Sequence, residues 1–427
     1  MGILEETWVS QASGIQRCGR AGRVARGVCF RLFSRGLHDG LAKQTTPEIK
    51  RVPLEDLILQ IELLELGTPR DFLARAVTPP KDAAIAAALN NLLELSAVEQ
   101  VEGGGMSGYR LQLTPLGFHL ALLPIDVRLG KMLIFASLFE CLDPVLTIAA
   151  TMSNKSPFSA PFGKQQQADA AKRRFSRGSM SDHFAWVNAY DEWVAAEQQQ
   201  QGWDFVRSNY LSGTTLLQIR GLREQLRRQL QQAGFVAADP ASCNRNSDNV
   251  HLIRCVLCAG LYPNVARTYK VATGHKKRPT GTRVEVRTLT EIVACHPSSI
   301  NNARAADGSS KDRWLVYLEK VATTRVFLRD STVVSAFALL LFGGKIAVDH
   351  DKSIVSVDGW ICFRTTAGLG VLCKLVREEL NDILLNMVES PGDPALAAQL
   401  EQMNTGLAQL LEATKFEESL GATACAK

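Results

Sequence analysis

The apolar residues between positions 51 and 95 recur at the spacing of α-helices. Pro53 suits the first turn of a helix, and Gly67 is a plausible stop at its C-terminal end. The side chains on one face of this predicted helix are Leu54, Leu57, Ile58, Ile61 and Leu64. A second helix is predicted from its cap, Asp82, through Leu95.

Segments with the shorter hydrophobic period or the composition of β-strands flank these two predicted helices. After the glycine turn at 103–105, residues 109–113 alternate apolar and polar side chains like a half-buried strand. Helix, helix and turn-linked strand is the order of a winged-helix module. Upstream, residues 28–33 are rich in Val and Phe and follow Gly27, which predicts a short buried strand.

The middle of the chain, from about residue 118 to 236, is predicted to be helical. Its main helices are expected at 129–142, 186–200 and 215–232. Asp, Pro, Ser and Asn dominate residues 237–249, a composition typical of a linker.

Beyond residue 249 the period becomes that of short strands. The predicted strands are 283–287, 314–318, 324–329 and 354–357. Several short strands at intervals of some tens of residues favour a small β-barrel. Helical spacing returns near the end, with helices predicted at 371–387 and 396–411.

The composition is that of a globular chain with several domains. Its 427 residues and 46.7 kDa favour about three domains at roughly 150 residues each. The ten cysteines are scattered and the first residues lack a secretory signal, so a reducing compartment is expected. The apolar stretches 132–152 and 333–342 are interrupted by charge or too short to span a membrane.

Charge is distributed unevenly. Residues 1–51 carry nine Lys and Arg against four Asp and Glu, and residues 264–287 carry seven against one. Residues 376–427 reverse the balance, with three basic residues against nine acidic ones. Two separate basic blocks suggest an anionic partner, nucleic acid above all, although solvated surface has the same appearance.

The stretch QRCGRAGR, from Gln16 to Arg23, carries the most chemical information. Its arginines stand three residues apart, with glycines between them that let backbone approach a ligand. Guanidinium groups can stabilise the charge that develops on a γ-phosphate during phosphoryl transfer. The spacing alone fits a basic surface loop better.

The complete string resembles the Q-R-x-G-R-x-G-R sixth motif (motif VI) of the DEAH-box, RNA helicase A-type family. Seven further segments look like that family's C-terminal signatures, in the same order: RVPLE at 51–55, LTPLG at 113–117, GKMLIF at 130–135, CLDP at 141–144, KSPF at 155–158, AGLYPNVA at 259–266 and HPSS at 296–299. The likeness covers about residues 5–375 and is closest to the large cytoplasmic subgroup, which includes ribosome-associated members.

This resemblance implies a multidomain, mainly α fold with β domains. The expected order is a remnant of the second RecA-like lobe at 1–48, a winged helix at 49–118, a helical ratchet domain at 119–236, a linker at 237–254, an OB-fold β-barrel at 255–375 and an acidic helical tail at 376–427. The periodicity of the sequence indicates the same order of elements.

The resemblance also implies site residues. In that family the motif VI glutamine and its second and third arginines reach the γ-phosphate of ATP between two RecA-like lobes. Here these would be Gln16, Arg20 and Arg23, with the two arginines in the catalytic role. Single-stranded RNA runs between the lobes and the C-terminal domains, and OB barrels suit single strands. The residues expected near RNA are Lys276, Lys277, Arg278, Arg283, His296, Ser298 and Ser299.

The sequence departs from the family pattern in lacking two strings. A complete helicase has a G-x-x-x-x-G-K-[ST] loop for phosphates and a D-E-x-H box for Mg²⁺, and neither string occurs here. ATP and Mg²⁺ are therefore expected as cofactors of a complete helicase. The chain alone is expected neither to bind ATP tightly nor to hydrolyse it.

Two alternatives stay open beside a helicase portion. The chain could be a stand-alone RNA-binding or adaptor module without enzymatic activity, or a protein-interaction scaffold that has lost RNA affinity. A ribosome or other ribonucleoprotein and an activating protein are candidate partners, and no membrane partner is expected. The cytoplasm is the expected location, with the nucleus as the alternative.

Other chemistry-bearing residues favour structural roles. Cys255 and Cys258 form a C-x-x-C without a second pair at zinc spacing, so core cysteines are expected and no metal site is predicted. Trp186, Tyr190 and Trp193 recur at helical spacing and are predicted to pack in the core. The run 172–174 (KRR) is predicted to be a solvated helix face, and the acidic tail a solubilising segment.

Overall fold

The chain folds as two compact units. The computed structural model describes residues 2–3, 8–102, 109–236, 241–275, 278–302, 313–323, 325–391, 393–412 and 421–422. One unit comprises Ile3–Gly117, and the other comprises Met1–Gly2 with Phe118–Lys427.

The unit of residues 3–117 is built from short helices and one hairpin. Its elements, after a two-residue strand β1 (Gly2–Ile3), are α1 (Gln11–Ala21), α2 (Arg35–Gly40), a 3₁₀ helix (Glu48–Lys50), α3 (Glu55–Leu63), α4 (Pro69–Ala74), α5 (Asp82–Glu94), β2 (Val98–Glu102) and β3 (Tyr109–Leu113). β2 and β3 pair antiparallel, with Val98 opposite Leu113. The two predicted helices and the strand at 109–113 are confirmed. Asp82 begins α5, and its cap is Lys81.

The strand predicted at residues 28–33 is wrong. The backbone there has no regular structure, and Val28, Phe30 and Leu32 are 75%, 85% and 98% exposed. A buried strand needs hydrogen-bonded neighbours on its edges and a surface on which to bury its side chains. Within the described part of this unit, no strand lies beside the segment to provide them.

The other unit starts with a helical layer. Its helices are α6 (Pro115–Leu122), α7 (Val127–Leu138), α8 (Leu142–Ser153), α9 (Gln165–Phe175), α10 (Asp182–Gln198), α11 (Gly202–Ser208), α12 (Gly213–Gln232) and α13 (Val250–Leu261). The helix predicted at 129–142 ends at Leu138, because Glu140 adopts a positive φ of 55° and the chain restarts as α8. Trp186, Tyr190 and Trp193 are buried on α10, as predicted.

Two helices of this layer approach closely through a glycine. A Cβ placed on Gly260 of α13 would lie 2.6 Å from the Cβ of Met132 on α7 and 3.1 Å from the carbonyl oxygen of Arg128. The missing side chain therefore allows α13 to pack directly on α7.

The polar stretch before α13 is attached to the helices. The amide of Leu142 donates to the carbonyl of Cys243 at 3.1 Å, and the amide of Asn246 donates to the carbonyl of Glu140 at 2.8 Å. Residues 241–249 thus pack on the junction of α7 and α8, whereas residues 237–240 lie outside the described part.

Five strands close into a barrel after α13. They are β4 (Val265–His275), β5 (Arg278–Arg287), β6 (Ile292–Cys295), β7 (Arg313–Ala322) and β8 (Val326–Val334). The order β7-β4-β5-β6-β8 closes because β8 also pairs with β7, and all pairings are antiparallel except β6 with β8. Its interior is filled by Ala266, Val286, Val293, Cys295, Leu315, Tyr317 and Leu328. The predicted β-barrel is confirmed.

A helix and a separate sheet follow the barrel. They comprise α14 (Ala336–Phe342), β9 (Ile346–Asp349), β10 (Ile354–Val357), β11 (Ile361–Arg364) and β12 (Gly421–Ala422), joined in the order β12-β11-β10-β9. The strand predicted at 354–357 therefore exists but belongs to this sheet and not to the barrel. The two layers meet where the rings of Trp360 and Phe363 lie 5.7 and 5.9 Å from that of Trp314 on β7.

Two helices lie between β11 and β12 in the chain, α15 (Ala367–Glu389) and α16 (Pro394–Glu412). The prediction of a solubilising segment is wrong for these helices, since Leu380, Leu384, Leu400 and Leu407 are buried. Among the described helices, including these two, none combines the length and apolarity needed to cross a membrane.

Candidate nucleic-acid interface

Helix α1 carries most of the QRCGRAGR motif. Gln16 and Arg20 are four residues apart and therefore lie on the same helical face, and Arg23 follows just after the helix cap, Gly22. All three side chains are exposed. Within the described residues none of them has a hydrogen-bond or ion-pair partner, so their polar groups are available to a ligand.

The start of α1 is fixed by short-range contacts. The hydroxyl of Ser10 accepts the backbone N–H of Ser13 at 3.1 Å and caps the helix. The side-chain amide of Gln11 donates to the carbonyls of His38 and Leu41, both at 3.1 Å. These contacts orient α1 against residues 38–41 and leave the motif's polar face open.

The basic residues predicted in the barrel lie on its longest hairpin. Arg278 and Arg283 are in β5, where their backbones pair with His275 and Val271 of β4. Lys276 and Lys277 lie outside the described residues. The hairpin therefore places both described arginines toward its turn end.

His296 sits in the turn that follows β6. This turn and the helical residues 300–302 that end the described segment are together called here the 296–302 loop. Nδ1 of His296 accepts the backbone N–H of Ser298 at 3.2 Å and lies 2.8 Å from the Ser298 hydroxyl, and the histidine ring packs edge-on against Phe327. Partial burial, together with the charges of Arg329 and Lys172, lowers the pKa of His296. With Nδ1 accepting, the neutral ring carries its proton on Nε2, which can donate to a ligand.

Ser299, which was predicted to contact RNA, does not lie on the surface. It is buried, and its hydroxyl donates to Oδ2 of Asp182 at 2.6 Å. Asp182 is in turn 2.7 Å from the ammonium of Lys172. Lys172 is buried as well, so the prediction of a solvated face for 172–174 is wrong for its first residue.

An arginine–aromatic row that the sequence analysis missed lies on the outward-facing side of the barrel strands, where Arg267 and Trp314 are buried. The Arg267 guanidinium is 4.8 Å from the ring centre of Tyr269 and 5.1 Å from that of Trp314. Across the sheet, the exposed Arg287 lies 5.7 Å from Tyr269. In the sequence, the alternation at 283–287 already points to one end of this row. The pairing of Arg267 with Arg287 across the two strands, seen in the structure, reveals the rest.

A cleft of about 510 Å³ opens on the helical layer. Arg223 pairs there with Asp143 at 2.6 Å and lies over the ring of Tyr190 at 4.7 Å. The cleft is also lined by Arg220, Arg227, Glu197 and Glu224. Because its cations and carboxylates are balanced, it does not select for an anion.

The described cysteines show no metal-site geometry. Cys255 and Cys258 are buried in α13, as predicted. Burial raises the pKa of the Cys258 thiol well above its ordinary value, which keeps it protonated. In the portion of the chain that the structure describes, no three His, Cys, Asp or Glu side chains cluster as a metal site would require.

Two segments of the chain match known domain families. Residues 126–186 match the helicase associated domain (HA2), ratchet-like, and residues 253–346 match the oligonucleotide/oligosaccharide-binding (OB)-fold. The first match covers α7, α8, α9 and the start of α10. The second match covers α13, the barrel and α14.

Relatives of the chain are similar over nearly all of its length. It is 41% identical to the ATP-dependent DNA/RNA helicase DHX36 of Homo sapiens over 398 residues, 91% of this chain and 38% of the relative. It is 39% identical to the human ATP-dependent RNA helicase DHX29, over 92% of this chain and 28% of the relative. The DExH-box ATP-dependent RNA helicase DExH1 of Arabidopsis thaliana is 38% identical, with 91% and 37% coverage. The chain thus spans less than two fifths of each of these relatives.

Proposed function

We propose a function on the premise that this chain is a C-terminal portion of a DEAH-box, RNA helicase A-type helicase, a resemblance that the two domain matches and the relatives confirm. The proposed role is to bind single-stranded RNA through the barrel and the ratchet domain. In a complete helicase this binding would be coupled to ATP hydrolysis and RNA unwinding.

The observation that carries the RNA-binding role is the closed barrel with basic residues along one hairpin. Arg278 and Arg283 lie on β5 in a segment of strongly positive charge. At the other end of the hairpin, the exposed guanidinium of Arg287, which pairs with Glu285 at 2.6 Å, lies beside the ring of Tyr269. Basic side chains beside aromatic rings suit the phosphates and bases of a single strand.

The 296–302 loop supplies the second proposed contact. The Nε2–H of His296 is a partly exposed hydrogen-bond donor, and the partly exposed hydroxyl of Ser298, whose proton is given to Nδ1 of His296, offers its oxygen as an acceptor. The histidine donor suits phosphate oxygens or base edges, the serine oxygen suits base N–H groups, and neutral groups add little to the salt dependence of binding. Ser299 supports this loop from inside.

Motif VI has a proposed role in the complete helicase. Gln16, Arg20 and Arg23 would contact the γ-phosphate of ATP, with Mg²⁺ held elsewhere. Arginines in this position stabilise charge in the transition state and can contribute on the order of 10³–10⁵ in rate. The chain alone lacks the phosphate loop and the Mg²⁺ box in its sequence, and we propose that it does not hydrolyse ATP.

Partners and location are proposed from the same premise. A ribosome or another ribonucleoprotein, with an activating protein, would supply the RNA context. A cytoplasmic location fits this role, with the nucleus as the alternative.

Equilibrium binding of a fluorescent single-stranded RNA at rising salt tests the proposed function. Binding through several phosphate contacts should weaken linearly in log–log form as salt increases. The triple change of Lys276, Lys277 and Arg278 to Ala should flatten this slope. Arg364→Ala, an exposed arginine on β11, controls for the loss of a cation elsewhere. Absent RNA binding at low salt would overturn the proposal.

A further inference from the structure

A buried ion pair connects the helical layer to the 296–302 loop. Asp182, the first residue of α10, is fully buried. Its Oδ1 is 2.7 Å from Lys172 Nζ and accepts the backbone N–H of Ile300 at 3.0 Å. Its Oδ2 accepts the Ser299 hydroxyl at 2.6 Å and the Ser331 N–H at 2.9 Å. One carboxylate therefore holds two loop residues and one barrel strand.

Lys172 holds the same loop from α9. Its ammonium donates to the backbone carbonyl of Ser298 at 3.1 Å while it pairs with Asp182. The pair thus binds three consecutive loop residues, Ser298 through the lysine and Ser299 and Ile300 through the aspartate. The side chains of His296 and Ser298, which bond to each other, stand on the outer side of this support.

The two neighbours of Asp182 in sequence fasten the adjoining strand. The hydroxyl of Ser181 lies 2.5 Å from that of Thr332 on β8, and Nδ1 of His183 lies 2.6 Å from the same oxygen. The start of α10 is therefore attached to the barrel by three successive side chains. The start of α10 therefore holds the 296–302 loop and β8 together.

Stability alone is a weak reason to bury this pair. A buried ion pair is often no more stabilising than well-packed apolar residues, because both charges lose their hydration. Burial by itself would raise the pKa of Asp182, but Lys172 and the hydrogen bonds hold that pKa below its ordinary value. The carboxylate therefore stays charged and able to accept all its bonds at neutral pH.

We propose that Lys172 and Asp182 are positioning residues that hold the 296–302 loop in its RNA-contacting form. This inference rests on the proposed function and deepens it, because neither side chain would itself touch RNA. Removing either one should release the loop and weaken RNA binding without removing a phosphate contact.

The test compares Lys172→Met with Arg173→Met in the complete chain. Both changes remove one positive charge from α9, but Arg173 is exposed. At a temperature where both proteins are folded, Lys172→Met should lower RNA affinity at least about tenfold with an unchanged salt slope. Arg173→Met should stay within about twofold of the wild type. In addition, the pKa of His296, followed by NMR, should rise in Lys172→Met, because a nearby positive charge is lost.

The outcomes distinguish a failure of the proposed RNA binding from a failure of the positioning role of Lys172 and Asp182. Wild-type chain that fails to bind RNA overturns the proposed function and, with it, this inference. If the wild-type chain binds RNA and the folded Lys172→Met variant binds equally well, only the inference about the positioning residues is overturned. A lower salt slope in Lys172→Met would do the same, since it would make the lysine a phosphate contact. If Lys172→Met does not fold, the variant Ser299→Ala is tested instead. We expect its RNA affinity to fall about threefold, and an unchanged affinity would contradict the proposal.

Discussion

The side-chain amide of Asn404 donates a hydrogen bond of 3.0 Å to the backbone carbonyl of Leu138. The donor belongs to the acidic α16, and the acceptor is the last residue of the buried α7. Carbonyls at a helix end lack partners within their own helix. The C-terminal helix therefore completes the end of α7 and is part of the folded unit.

Replacing Asn404 should destabilise this unit. Asn404→Ala leaves the Leu138 carbonyl buried without its donor, and the free energy of unfolding should fall by about 1–3 kcal/mol. Chemical denaturation measures the change. Gln402→Ala, on the exposed side of the same helix, should alter it by less than about 0.5 kcal/mol. Equal effects of the two changes would show that α16 is not docked in this way.

Gly260 should not tolerate a side chain. Gly260→Ala places a Cβ 2.6 Å from that of Met132, so α13 must move away from α7. We expect a loss of about 1–3 kcal/mol in the free energy of unfolding, as for other overpacked cores. Gly221→Ala is the control, because a Cβ there meets nothing within 4 Å. It should stabilise α12 by about 0.5–1 kcal/mol, and a reversed ranking would refute the packing described for α13.

His183 should make the fold sensitive to acid. Burial lowers its pKa to about 4, from an ordinary value of 6.5. Because the unfolded chain takes up the proton first, the neutral ring's contribution is complete above pH 6.5 and is lost as the pH falls toward 4. Between pH 7 and pH 5 the loss should be on the order of 2 kcal/mol.

The change His183→Asn isolates this effect. An Asn side chain can keep a polar atom near the position of Nδ1 and its bond to Thr332, but it does not titrate. Denaturation at pH 7 and pH 5 should then show a smaller acid penalty than the wild type. His350→Asn, on an exposed turn, should leave the wild-type penalty in place. An identical pH dependence in all three proteins would contradict the assignment.

The purified chain should show no RNA-stimulated ATP hydrolysis. Its sequence lacks the phosphate loop and the Mg²⁺ box, so we expect Arg20 and Arg23 to have no bound nucleotide to act on. A phosphate-release assay with and without single-stranded RNA measures this. ATP hydrolysis that persists in the double variant Arg20→Ala, Arg23→Ala would come from a contaminant. Turnover that this double change abolishes would show that motif VI does meet a nucleotide in this chain.

Local periodicity predicted much of the fold. The helices at 54–64 and 215–232 and the barrel strands at 283–287 and 314–318 have regular patterns, and the structure places elements there. The prediction failed where the structure of a segment depends on the strands or helices that pack beside it. Residues 28–33 have the composition of a strand, but no neighbouring strand among the described residues supports one.

The candidate site was only partly predictable for the same reason. Motif VI and the HPSS segment are recognisable because they are contiguous strings. The contacts of Ser299 with Asp182 and of Lys172 with Ser298 join residues more than 100 positions apart, on an interface between helices and barrel. A serine in a motif and a lysine in a basic run give no local sign of burial.

Photocrosslinking tests the central claim, RNA binding by the barrel, most directly. The chain would be irradiated with a 4-thiouridine-containing single-stranded RNA, and the crosslinked residues would be identified by mass spectrometry. We predict crosslinks on β5 and the 296–302 loop, within residues 278–302, that disappear in excess unlabelled RNA. Specific crosslinks confined to other parts of the chain, or none in the barrel, would contradict the account.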